Sequence, residues 1–168
     1  MSTRRPPDDA ASALTTVRIA PVDLKRLQAA SRAPKGLPTL PGLLAMLGAS
    51  LDDERVKDLG LSEQKSPLGG VRSSSRALGI EAVAPSARII GTIFLHSEGH
   101  ERFHVWAGDL GDGLSFSSTP ALVRRARGAP SRSGPGWDRY DGDDGSVHFQ
   151  YGDGGLRLVT LMAKGTAP

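Results

Sequence analysis

The stretch GWDRYDGDDGSVHFQYGDGGLRLVTLM, residues 136–162, decides the fold. Its apolar residues recur at every second position in short runs, the period of a half-buried strand. Asp143-Asp144-Gly145 and Gly152-Asp153-Gly154 separate these runs, and such residues accept the backbone of tight hairpins. The reading is an antiparallel meander. Within it, Val147 and Phe149 share one face of a strand, and His148 and Gln150 share the other.

Working outward, SSTPALVRRARGAP predicts a helix: Ser118 or Thr119 as N-cap, Pro120 in the first turn, Gly128 as stop and Pro130 beyond. LGIEAVAP and ARIIGTIFL predict two strands joined through Pro-Ser-Ala, and ERFHVWAG a third. That third run sets Phe103 and Val105 opposite His104 and Trp106. Residues 61–75 read as a polar linker. In SLDDERVKDLG, Ser50 is the expected N-cap and Gly60 the stop, and LPGLLAMLGAS gives an apolar helical turn ending at Gly48. APVDLKRLQAASRA places Val22, Leu24, Leu27 and Ala30 as a short amphipathic helix would, and residues 1–14 lack any period and are expected to be disordered. The domain reading is an arm with a short helix over 1–38 and one α+β domain over 39–168.

An internal repeat is suggested at an offset of 66 residues. Gly70, Gly79 and Gly99 fall on Gly136, Gly145 and Gly165, and Ile93 and Leu95 fall on Val159 and Leu161. Each unit, about 40–100 and 118–165, is a helix followed by a meander. Two such units make an α+β fold whose helices cover one face of an antiparallel sheet, with a short helical N-terminal extension.

A helix ending in Gly, the WDRY strand, the Gly/Asp hairpin, the VHFQY strand and the final LRLVTLM strand resemble the small bacterial immunity proteins encoded beside polymorphic or contact-delivered toxins. The arrangement is also similar to β-lactamase-inhibitor-protein-like domains and to small outer-membrane assembly lipoproteins. The likeness covers residues 40–163 and departs at Arg127, where Leu is usual before the glycine. It implies a non-enzymatic inhibitor that binds a cognate protein toxin and occludes its active site, with no cofactor. The lipoprotein branch is disfavoured, because the chain has no cysteine to lipidate.

Composition narrows the classes further. With 168 residues the chain is long enough to bury a core, and 21 Gly with 12 Pro favour short strands and turns. Absence of cysteine excludes disulfides and thiolate metal sites. No apolar run approaches the roughly 18 residues of a membrane span, and the N-terminus has no signal-like apolar region. A cytoplasmic location without membrane contact is expected. Residues 1–35 carry a net +4 and the remainder −1, so the basic character belongs to the N-terminal segment. A nucleic-acid partner, which wants positive charge on the folded surface, is therefore disfavoured.

The chemistry-bearing residues are few. His96, His100 and His104 recur every fourth position. On a strand, successive members stand about 13 Å apart, too far to share a metal unless a hairpin near Ser97–Gly99 folds the segment back. Such a fold-back is the basis of the alternative reading, a metal-assisted hydrolase or toxin domain built on those three histidines. Asp138, Asp141, Asp143 and Asp144 lack EF-hand spacing and read as a solvated turn. No nucleophile elbow or P-loop is present. Arg124, Arg125, Arg127 and Arg132 gather at one helix end, where they complement the macrodipole or meet an acidic partner. The expected partner surface is the polar-aromatic side of the sheet with its acidic tip: His104, Trp106, Tyr140, Asp141, Asp143, Asp144, His148 and Gln150. Catalytic residues and metal ligands are not expected.

Overall fold

The computed structural model describes residues 36–66 and 69–165. In chain order these form helices α1 (Leu40–Leu44) and α2 (Glu54–Lys57), and strands β1 (Ser62–Lys65), β2 (Val71–Ser75), β3 (Ile80–Ala84) and β4 (Thr92–His96). Helix α3 (Pro120–Arg127) follows, and then β5 (Arg132–Gly134), β6 (Trp137–Asp141), β7 (Ser146–Gly152) and β8 (Gly155–Met162). All eight strands pair antiparallel in one sheet, in the order β1-β2-β3-β4-β8-β7-β6-β5. The fold is α+β. The expected N-terminal helix and arm lie outside the described residues.

The helices start where side chains can satisfy their first N–H groups. Thr119 Oγ1 accepts the Leu122 N–H at 3.4 Å, Pro120 fills the first position, and Gly128 (φ +81°) ends α3. Thr39 caps α1 in the same way. Asp53 rather than Ser50 caps α2, and the Ser50 hydroxyl instead accepts the Asp52 N–H.

Alternation sorts each strand onto two faces. Ala82, Ile93, Leu161 and Val147 stand side by side across β3, β4, β8 and β7, and all are buried. Ile80, Leu95, Val159 and Phe149 form the next row. Leu40 and Leu43 of α1 and Val123 of α3 join the same cluster. This is the core face.

Two sequence expectations are corrected here. The linker at 61–75 contains β1 and β2: an edge strand exposed along its length, such as Ser62–Lys65, needs no apolar alternation to pair. The third strand at ERFHVWAG does not form. Glu101 and Arg102 take left-handed backbone (φ +50° and +66°), and the edge of β4 that it would need is filled by β8. The chain instead crosses the end of β3 over Gly79, where a Cβ would meet the backbone of His104 and Trp106.

Candidate functional site

The second face of the sheet is built from the alternate residues. Register sets Glu81, Phe94, Thr160, His148 and Arg139 in one row across β3, β4, β8, β7 and β6. Val83, Thr92, Met162, Ser146 and Asp141 form a row on one side of it, and His96, Leu158, Gln150 and Trp137 form one on the other. At about 4.8 Å per strand the middle row runs about 19 Å. Its chemistry is mixed: the Trp137 ring meets the His148 edge at 5.1 Å. Burial first, and then the Arg139 charge, hold the His148 imidazole below its ordinary range.

Toward β1 this face sinks into a depression of about 500 Å³, lined by Ser62, Gln64, Arg72, Arg76, Glu81, Glu101 and Phe103 among others. Glu81 is only 6% exposed there. Its nearest cation, the Arg72 Nε, lies 3.3 Å away on a half-exposed side chain. Desolvation outweighs that charge and pushes the Glu81 carboxyl up, and Glu101 adds to the shift.

Beside this depression, whose lining includes its Glu101 and Phe103, the loop after β4 folds back. His96 is 3% exposed, with its ring stacked 3.9 Å from Phe103 and its Nδ1 3.0 Å from His100 Nδ1. Burial and the His100 charge hold His96 down at about 4. The fold-back therefore joins two of the three histidines. His104 turns to solvent instead, 3.3 Å from Glu98. Among the described residues no group of three His, Cys, Asp or Glu side chains could hold a metal ion.

The remaining sequence-derived residues divide. His148, Gln150 and Asp141 lie on the second face by register, and Asp143 and Asp144 project at the exposed β6–β7 tip. Trp106 does not belong to this surface. At 2% exposure it is a core residue, packed against Gly108, where any Cβ would strike the indole. The expected alternation requires an extended third strand at ERFHVWAG, whereas the chain rounds the sheet end there. Phe103 stays on the second face and Trp106 drops to the core. Tyr140 faces inward: its ring meets Phe149 edge-on at 5.8 Å, and its hydroxyl donates to the Gly128 carbonyl at 3.3 Å.

Asp138 is the other correction, because it is not part of a solvated turn. It is fully buried, its two oxygens accept from Arg124 Nε and Nη2 at 2.8 Å each, and Tyr151 donates at 2.9 Å. Those bonds, Arg124 foremost, keep the carboxyl below its usual range. Arg127 is likewise occupied, over the Phe149 ring and against Asp112 and the Leu110 carbonyl. Two of the four helix-end arginines thus pin α3 to the sheet. Arg125 and Arg132 stay exposed.

Sequence reasoning missed Glu81, Phe94, Thr160 and Arg139 as members of this surface. The signal lies in the pairing: once β4 is set beside β8 and the hairpin registers are fixed, stepping across the strands from His148 reaches Arg139 on one side and Thr160, Phe94 and Glu81 on the other. No family model, curated protein or solved structure matches the chain.

Proposed function

We propose that this chain is a non-enzymatic immunity-type inhibitor that binds a cognate protein toxin in the cytoplasm and blocks its active site or access to it. The observation that carries the reading is the second sheet face, with its mixed aromatic, histidine and charged rows standing opposite an aliphatic core. Trp137 and Arg139, which stand on this face, belong to the residue types in which binding energy concentrates. The three rows project onto about 19 by 13 Å, or about 250 Å². A standard interface takes about 800 Å² from each partner. The rim must therefore contribute, and the Asp141, Asp143 and Asp144 tip adjoins this patch. Acidic rim groups set against a basic toxin cleft raise the association rate.

The sheet is further proposed to consist of two helix-plus-meander units, about 40–100 and 118–165. In support, the strand order reads inward identically from both edges. Shifting Val71–Ser75 by 66 residues gives the span of β6, and shifting Thr92–His96 gives the last five residues of β8.

The test is co-expression with the product of the adjacent reading frame. The chain should be captured with that product and should protect growth. A double variant on the middle row, Phe94→Ser with Arg139→Glu, should fold yet lose both capture and protection. Full protection by that folded variant would move the binding surface elsewhere.

A further inference from the structure

We infer that His96 and His100 form a proton-sensitive clasp that holds the 97–105 loop closed at neutral pH and releases it on mild acidification. The loop supplies Ser97, Glu98, His100, Glu101 and Val105 to one wall of a groove of about 900 Å³, whose other wall includes the β7–β8 hairpin. Releasing the clasp therefore opens that wall.

Proton counting carries the argument. A contact of 3.0 Å between two Nδ1 atoms holds one proton, donated by one ring to the lone pair of the other. His96 Nε2 is enclosed and has no protein partner. The neutral pair meets this condition when His96 donates through Nδ1, leaving Nε2 a bare lone pair, and His100 carries its proton on Nε2. One further proton leaves a single lone pair among four nitrogens, and the inter-ring bond requires that it lie on an Nδ1. His96 Nε2 must then bear a hydrogen that has no acceptor. A second further proton removes the inter-ring acceptor and sets two cations face to face. Neither step is compatible with the closed contact.

The surroundings do not relieve this. Glu101 is the one carboxylate whose charge favours protonated His96, and burial and His100 outweigh it. Glu98 is committed to the Val105 N–H at 3.0 Å and to His104. From the strand beside His96 come Leu158 and, next in sequence, Arg157, a further positive charge. From the β2–β3 turn, Arg76 offers its carbonyl to the His104 N–H, and Glu81 faces Glu101. Arg102 follows within the loop itself. The closed loop is also strained, with adjacent left-handed Glu101 and Arg102, so it reopens readily when its clasp is lost.

The experiment follows amide exchange by NMR in the full chain from about pH 7.5 to about pH 5, corrected for intrinsic rates, with imidazole nitrogen shifts read alongside. Protection at Gly99, Phe103, Val105 and Trp106 should fall at least about tenfold while β7 and β8 amides keep theirs. His96→Phe removes both the inter-ring bond and the titrating nitrogen, so its loop should be less protected at neutral pH and its protection should no longer change with pH. pH-independent loop protection in the wild type, or an equal acid-dependent loss in His96→Phe, overturns the clasp. Should His96→Phe not fold, the nitrogen shifts decide: one protonated Nδ1 at neutral pH, changing in step with loop opening, is the expected result. Two independently titrating rings overturn the clasp, as does one equivalent of Zn(II) or Ni(II) bound across both nitrogens at neutral pH.

Discussion

The two faces of one sheet answer different demands with alternate residues of the same strands. On the core face, Ala82, Ile93, Leu161 and Val147 are aliphatic neighbours beneath α1 and α3. One residue along, Glu81, Phe94, Thr160 and His148 occupy the same four strands and face the other way. Two of those four carry ionisable groups whose protonation burial has displaced, Glu81 upward and His148 downward. An aliphatic row is stabilised by the water it excludes, about 25 cal/mol per Å² of apolar surface. A row that leaves ionisable groups half-desolvated gives up part of that stabilisation. The contrast places stability on the core side of the sheet and, under the proposed function, recognition on the other.

The largest expected effects break the core side. Arg124→Ala leaves the buried Asp138 carboxylate without its cation and should lower stability most in urea unfolding, whereas Asp138→Ala leaves behind a half-exposed arginine and should cost less. The two tryptophans sharpen the contrast. Trp106→Ala should cost about 3–5 kcal/mol, whereas Trp137→Ala should cost about 1 kcal/mol while weakening partner capture more than Trp106→Ala does in protein that still folds. Equal losses from both would erase the distinction between the faces.

Acid should discriminate next. The folded His96 pKa, about 4, lies below its ordinary 6.5. Its contribution to stability is thus fully present above pH 6.5 and is lost as pH falls from there toward 4. Melting curves across that window should decline in the wild type and stay flatter in His96→Phe. Glu81 has the opposite sign: its raised pKa makes the ionised group a burden as pH rises through and above its folded value. Glu81→Gln should therefore melt slightly higher at neutral pH and capture the partner less well. The smallest effect belongs to the tip. Asp143→Lys with Asp144→Lys should change stability by no more than about 0.5 kcal/mol per site, and should slow association with the partner chiefly at low salt.

Much of the frame was legible because the local rules agree with one another. Thr119, Pro120 and Gly128 bound α3 by capping chemistry alone, and the two Asp/Gly turns fix the β6–β7–β8 register. Period two correctly separated His148 and Gln150 from Val147 and Phe149. Illegible were the places where tertiary context overrides local pattern. Ser62–Lys65 is a strand only because β2 lies beside it, and its own residues carry no apolar signal. Asp138 reads as one more acid in an acidic turn, since nothing nearby announces Arg124 fourteen positions earlier or Tyr151 thirteen later. Trp106 reverses sides because two left-handed residues turn the chain just before it. The histidine pair was partly foreseen: a fold-back near Ser97–Gly99 was the one geometry able to join His96 to His100, and it excludes His104.

Strand β8 follows the other seven in the chain, yet it lies between β4 and β7. During synthesis on the ribosome, two incomplete sheets therefore emerge first, each with an unpaired inner edge awaiting the same late segment. Such edges are the templates on which nascent chains aggregate or are seized by chaperones. A premature stop between Gly152 and Gly155 would leave both edges permanently open, so a product lacking little more than β8 should be cleared by proteases as completely as a much shorter one.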